Sequence, residues 1–275
     1  MKTLAPFKFA LSLCLSALIS ALIAPSAFSQ SPPESKYFDS AGVRIRYIEL
    51  GSGEPVIVLH GLGGNSDTWL KAVSSLAASH RLILFDLRGH GLSDKPHTTA
   101  EYGREMGHDV IRLMDHLNIP KAHIFGYSIG VTPIGMLITE HESRFISATF
   151  GGGAARWAWG DTNDLLNQSI YRRIINSPRQ QLKGGMKDQD QIAIASLRLG
   201  EKELLVSTQS LSKLSLPILA IVGSEDPALE AVENFKQILP AIELAVIEGE
   251  THTSLPAHPR FLESVKDFLL RNPNK

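Results

Sequence analysis

The sequence predicts an α/β fold: a mostly parallel central sheet flanked by helices. Three observations carry that expectation. Short apolar runs of strand length recur along the chain and end in glycine-containing turns, as strands buried on both faces do. Segments with helical apolar spacing separate them, and strands alternating with helices imply parallel pairing through right-handed crossovers. The chain has 275 residues, 43% of them apolar, with a formal net charge of -1, enough for one large domain. No basic excess points to nucleic acid, and no internal repeat is visible.

Residues 1–29 read as an export signal outside the fold. Lys2 and Lys8 form a basic start, Phe9 to Ala24 an apolar stretch, and Ala27-Phe28-Ser29 a cleavage site before Gln30. The alternative is an uncleaved anchor, but the apolar run is short for a spanning helix. Lipidation is disfavoured because Cys14 lies inside the apolar run. A periplasmic or secreted location is therefore expected, with no stable membrane anchor after cleavage. Cys14 is the only cysteine, so the mature chain holds none, which removes thiolate zinc sites and cysteine nucleophiles. Loss of Lys2 and Lys8 from the 27 basic residues leaves 25 against 28 acidic ones, a net charge of -3.

The elements follow in order. Tyr37 to Ser40 and Val43 to Leu50 read as a hairpin around Ala41-Gly42. Pro55 to His60 is a buried strand, followed by His60-Gly61-Leu62-Gly63-Gly64 and a helix beginning near Asn65 to Asp67. Arg81 to Asp86 is the next strand. The loop Leu87 to Asp94 reads as structural, tied down by arginine and aspartate, with Asp86 and His90 as weaker catalytic candidates. Tyr102 to Ile119 carries Met106, Val110, Leu113, Met114 and Leu117 at helical spacing, a core-packing face. Lys121 to Phe125 is a strand, Val131 to Glu140 a helix, and Phe145 to Phe150 a strand closed by three glycines. Leu216 to Gly223, Ala228 to Leu239, Ile242 to Glu248 and Pro256 to Arg271 complete the alternation.

Residues 154–213 break the rhythm and are expected to form a small helical cap between two parts of the core, 30–153 and 214–275. Trp157 and Trp159 near its start are candidate substrate-binding residues, with pinning of the cap as the alternative. Arg172, Arg173, Arg179, Lys183 and Lys187 read as a solvated face, the alternative being an anionic-substrate patch.

Gly126-Tyr127-Ser128-Ile129-Gly130 stands between a strand and a helix, the setting a G-x-S-x-G nucleophile elbow requires. The turn holds its serine in a strained conformation. Gly126 and Gly130 allow close approach of neighbouring backbone, and Pro133 is tolerable early in the helix. Residues just after parallel strands gather at one edge of the sheet, and Ser128, Asp226 and His252 each hold such a position. His252 is the expected base and Asp226 the acid that orients it. Glu225 is the alternative acid and His258 the alternative base. The backbone N–H groups of Leu62 and Ile129 are the candidate oxyanion donors.

With these motifs in order, the chain resembles the α/β-hydrolase superfamily from Tyr37 to the C terminus. The resemblance rests on His60-Gly61, Phe85 to Ser93, the elbow, Gly223 to Pro227, and Gly249 to His252. It departs at Tyr127, where many relatives have His, at Val131, where many have Gly, and at Thr251, where Gly is common. A serine at the elbow argues against the dehalogenase and epoxide hydrolase relatives, which need Asp there. The resemblance implies a serine hydrolase acting on a small carboxylic ester, with no cofactor, no metal and no nucleic acid. C–C bond hydrolases, lactonases, aminopeptidases and perhydrolases share the same triad. A non-catalytic binding protein on this fold is the alternative of another class.

Overall fold

The computed structural model describes residues 33–157, 168–169, 171–172, 176 and 190–274. The expected signal segment 1–29 lies outside these, as do Trp159, Arg173, Arg179, Lys183 and Lys187. Strands β1 (Lys36–Ser40) and β2 (Val43–Leu50) pair as an antiparallel hairpin. Ala41 and Gly42 turn it with φ of 54° and 86°, the left-handed pair a two-residue hairpin demands. Then follow β3 (Glu54–Leu59), α1 (Ser66–Val73), β4 (His80–Phe85), α2 (Arg104–His116), β5 (Ala122–Tyr127), α3 (Thr132–Glu140) and β6 (Phe145–Gly151). After β6 come α4 (Gln191–Gly200) and α5 (Thr208–Leu211), then β7 (Ile218–Gly223), α6 (Leu229–Ile238), β8 (Glu243–Ile247) and α7 (Pro259–Arg271).

The eight strands form one sheet in the order β1-β2-β4-β3-β5-β6-β7-β8. All neighbours from β4 to β8 are parallel, and only the β1–β2 and β2–β4 pairs are antiparallel. The fold is thus the mostly parallel α/β sheet that the sequence predicts. Period-two alternation feeds two cores. Ile57, Leu59, Ile83 and Phe85 pack with Met106, Val110, Ile134 and Phe235 on the face of α2, α3 and α6. Val56, Val58, Leu82 and Leu84 pack with Trp69, Val73, Phe261 and Phe268 on the face of α1 and α7.

Helix starts follow local chemistry. Asn65 caps α1 reciprocally with Thr68, satisfying two donors at the helix start. Two expected helices begin differently from a single continuous helix, and a proline explains each. Residues Ser128–Val131 form a 3-10 turn, and α3 starts only at Thr132. Pro133 has no N–H to offer the Ile129 carbonyl four residues back. That carbonyl instead accepts from the Thr132 N–H and from Thr132 Oγ1 at 2.8 Å. The closing segment likewise splits into a 3-10 turn, Leu255–Ala257, and α7. Pro259 holds His258 extended at ψ 130°, so His258 becomes the cap of α7.

Between β6 and β7 there is no strand among the described residues, and α4 and α5 pack Ala193, Leu197 and Leu211 into the larger core. No helix among the described residues is long and apolar enough to cross a membrane.

Candidate active site

The strand β5 delivers Ser128 to the carboxyl edge of the sheet in a left-handed conformation, φ 54°. A non-glycine residue there stores on the order of 1 kcal/mol or more of strain, and surrounding packing must hold it. The two elbow glycines make that packing feasible. A Cβ on Gly126 would lie 2.4 Å from the Gly130 carbonyl oxygen, and one on Gly130 would lie 2.5 Å from that of Leu59.

Three elements converge on this corner. The loop after β8 brings His252, whose Nε2 lies 2.8 Å from Ser128 Oγ. The loop after β7 brings Asp226, whose carboxylate oxygens lie 2.9 and 3.1 Å from His252 Nδ1. A carboxylate oxygen accepts, so the imidazole donates to it from Nδ1–H. Nε2 is then a lone pair, and the Ser128 hydroxyl donates to it. The Asp226 side chain is fully buried, whereas that of His252 is 36% exposed. The imidazole is therefore held from behind by Asp226 and partly open on its other side.

Leu62 and Ile129 line the same cavity as Ser128, a space of about 590 Å³. His60 shapes the Leu62 loop. Its Nε2 accepts from the Leu87 N–H at 3.0 Å, so its Nδ1–H donates to the Gly61 carbonyl at 2.8 Å. Gly61 in turn lies against Ser128, where a Cβ would meet Ser128 Cβ at 3.5 Å. Ser128 also faces a second space of about 310 Å³ with Trp69, Tyr127, His252 and Pro256.

The alternative acid and base are placed elsewhere. Glu225 is exposed, and His258 accepts from the Arg260 N–H as the cap of α7. Asp86 and His90 are structural. Asp86 accepts from the backbone N–H groups of Ser66 and Leu92 and from Ser66 Oγ, with Arg46 at 3.4 Å. Burial alone would raise its carboxyl; the bonds from Ser66 and Leu92 hold it below the usual range. Arg88 pairs in bidentate fashion with Asp109 of α2 rather than with an acid of its own loop. His90 is buried beside His60, and burial holds it down to about 3.

Trp157 lines the 590 Å³ cavity and also stacks on Phe235 at 5.8 Å. Two further lining residues carried no signal in the sequence, Arg156 and Arg198. Both pair with the buried Glu201, at 2.5 and 2.7 Å. Tyr127 was legible only as a departure from the superfamily pattern. Its hydroxyl donates to the His252 carbonyl at 2.5 Å, bracing the loop that carries His252. Val131, the second departure, fills the space against Gly153 and lines the cavity.

The sequence model described as alpha/beta hydrolase fold matches residues 54–169. The chain is 32% identical over 273 residues to a 2-hydroxy-6-oxo-6-(2'-aminophenyl)hexa-2,4-dienoic acid hydrolase of Metapseudomonas resinovorans, covering 88% of this chain and 93% of that one. It is 39% identical over 104 residues to the dihydrolipoyllysine-residue acetyltransferase component of an acetoin cleaving system of Pseudomonas putida. That match takes in 37% of this chain and 28% of the relative's length. Among solved structures, a thermophilic esterase from Thermogutta terrifontis superposes with a TM-score of 0.74 at 20% identity, over 89% of this chain and 100% of that chain.

Proposed function

The chain belongs to the α/β-hydrolase fold family, and from that premise we propose that it is an exported serine hydrolase cleaving small carboxylic esters through an acyl-enzyme. One observation carries the reading: the continuous chain of hydrogen bonds from Ser128 Oγ through His252 to Asp226 on the wall of a cavity. A neutral hydroxyl is a weak nucleophile. As Oγ bonds to the acyl carbon, its proton passes to His252 Nε2, and Asp226 stabilises the imidazolium. The carbonyl electron pair moves onto oxygen, where the N–H groups of Leu62 and Ile129 receive it. The imidazolium protonates the departing alcohol, and water reverses the sequence to free the acid. We read residues 154–213 as the cap, and among its described residues Trp157 lines the cavity.

A second reading, hydrolysis of a C–C bond beside a carbonyl, is favoured by the likeness over nearly the whole chain to the dienoic acid hydrolase. A panel of acyl esters of graded length, a lactone and a vinylogous diketone separates the readings by kcat/KM. A fluorophosphonate should label Ser128, and Ser128→Ala should abolish labelling while lowering kcat by about 10⁴ to 10⁶. Retained labelling in that variant would remove Ser128 from the mechanism. Export is supported by the basic, apolar and small-residue pattern of residues 2–29. Mass spectrometry of the mature protein should find an N terminus near Gln30; an intact Met1 on membrane-bound protein would replace the signal with an anchor.

A further inference from the structure

At the opposite edge of the sheet, three metal-ligating side chains converge. Glu54 opens β3, His80 opens β4 and His123 lies near the start of β5. Register puts them on one face: Glu54 pairs with His80, and His123 pairs with Val56, two residues on from Glu54. One ligand atom from each lies within 4.8 Å of the other two. We propose that Glu54, His80 and His123 bind a divalent transition-metal cation of the zinc class, which ties together the amino ends of β3, β4 and β5.

The chemistry around the cluster favours a cation over a simple hydrogen-bond network. His123 Nε2 and Glu54 Oε2 are 3.3 Å apart. That is long for a charged hydrogen bond. It matches the spacing of about 3.3 Å between two tetrahedral ligands at zinc distances of about 2.0–2.1 Å. One ring nitrogen of each histidine meets a serine hydroxyl: His123 Nδ1 to Ser147 Oγ at 2.7 Å, and His80 Nδ1 to Ser79 Oγ at 2.8 Å. An imidazole fixed on its far side by an oxygen partner is the arrangement that orients metal-bound histidines. Because a hydroxyl both donates and accepts, each histidine can put its proton on Nδ1 and present Nε2 without taking up or releasing one. Glu54 is set similarly: Oε1 accepts from the Asn274 N–H at 2.8 Å, which leaves Oε2 toward His123. The site lies at the amino ends of strands whose carboxyl ends carry Ser128, so its cation supports the sheet and takes no part in the acyl chemistry. No metal-ligand spacing was visible in the sequence because each ligand sits on a different strand.

The test uses the full mature protein, stripped with a chelator and then dialysed against zinc or cobalt(II). One equivalent of zinc per chain should be retained, and cobalt should give the visible absorption of a four-coordinate site. Zinc should raise the melting temperature. Glu54→Gln keeps the half-exposed position and a group that accepts from Asn274, and should lose the equivalent and the melting shift. His80→Asn should do the same, and Ser147→Ala should weaken binding about 10–100-fold. His252→Ala should leave the cobalt spectrum unchanged, which excludes capture at the triad. Absence of zinc uptake by the wild-type protein, or full retention by Glu54→Gln and His80→Asn, overturns the proposal. Fluorophosphonate labelling of Ser128 is read separately, so either result leaves the hydrolase reading to its own test.

Discussion

Asp86 and Asp226 leave the same edge of one sheet, after β4 and β7, and the side chains of both are shut away from water. Their surroundings differ in kind. Asp86 is met by two backbone N–H groups, the Ser66 hydroxyl and the Arg46 guanidinium. None of these groups gives up its proton near neutral pH, so the carboxylate is a fixed clamp between α1, β2 and the loop after β4. Asp226 accepts one backbone N–H, from Ala228, and turns its remaining capacity to the His252 imidazole. That partner can take a proton at Nε2 from a hydroxyl and hand it on. Burial therefore does not separate the two aspartates. What separates them is the partner: Asp226 holds an imidazole that is itself partly exposed.

The two aspartates should fail in opposite ways. Asp226→Asn should lower kcat by about 10⁴, because the amide favours the wrong imidazole tautomer, with little change in melting temperature. Asp86→Asn should leave Arg46 with Asp67 as its one carboxylate partner and turn an amide toward the Ser66 and Leu92 donors. Loss of one partner of a buried ion pair costs about 3–5 kcal/mol. Calorimetry beside steady-state kinetics checks both. If Asp86→Asn lost activity at an unchanged melting temperature, the division of roles would be broken.

A further contrast lies between the two kinds of histidine at this edge. His60 and His90 are buried, and burial holds both below the usual imidazole range, His90 at about 3. Below pH 6.5 the unfolded chain takes up protons that the folded chain refuses. Stability is therefore full above pH 6.5 and falls on acidification toward the folded-state values. Each such histidine contributes a slope of up to about 1.4 kcal/mol per pH unit. His90→Leu should flatten the acid side of the stability curve by about one proton, measured by denaturant titrations at a series of pH values. An unchanged slope would show that His90 is protonated in the folded protein.

The site was far more legible in the sequence than its supports. Strand ends are marked by apolar runs meeting glycine, so Ser128, Asp226 and His252 could each be placed on one edge from local patterns alone. The glycines at 126 and 130 announced the close backbone approach that the structure contains. The clamp was only half legible. Arginine and aspartate were expected to tie the loop after β4, but their partners, Arg46 on β2 and Asp109 on α2, are distant in sequence. The same holds for Glu201 beneath Arg156 and Arg198. Long-range pairing of charges leaves no periodicity, and only the fold brings the partners together. Pro133 and Pro259 were readable as residues, yet the helix starts they displace needed the carbonyl and cap geometry to be seen.

Trp157 sharpens the comparison from the substrate side, since it serves both the cavity and the packing against Phe235. If it contacts substrate, Trp157→Ala should change kcat/KM unequally along an ester length series, by roughly 1–3 kcal/mol of discrimination. A uniform loss with a lowered melting temperature would assign it to packing alone.

The smallest effect should come from the bond between Tyr127 and the loop that carries His252. Tyr127 donates to the His252 carbonyl, and its ring lies 5.4 Å from the imidazole, 5.0 Å from Trp69 and 5.8 Å from Phe261. Tyr127→Phe keeps every one of these ring contacts and removes only the hydroxyl. The His252 carbonyl then loses its donor, at a net cost of about 0.5–1.5 kcal/mol. If the bond positions the base, that cost should fall on kcat as a decrease of roughly two- to tenfold, with KM unchanged, because substrate binding does not use the imidazole proton. If the bond serves only the fold, the same energy should appear as a lower melting temperature with kcat intact. The two outcomes separate on one variant because Asp226 holds Nδ1 independently of Tyr127. A loss of kcat would then mean that the imidazole, still tethered from behind, has drifted from the serine along the one direction its acid does not control.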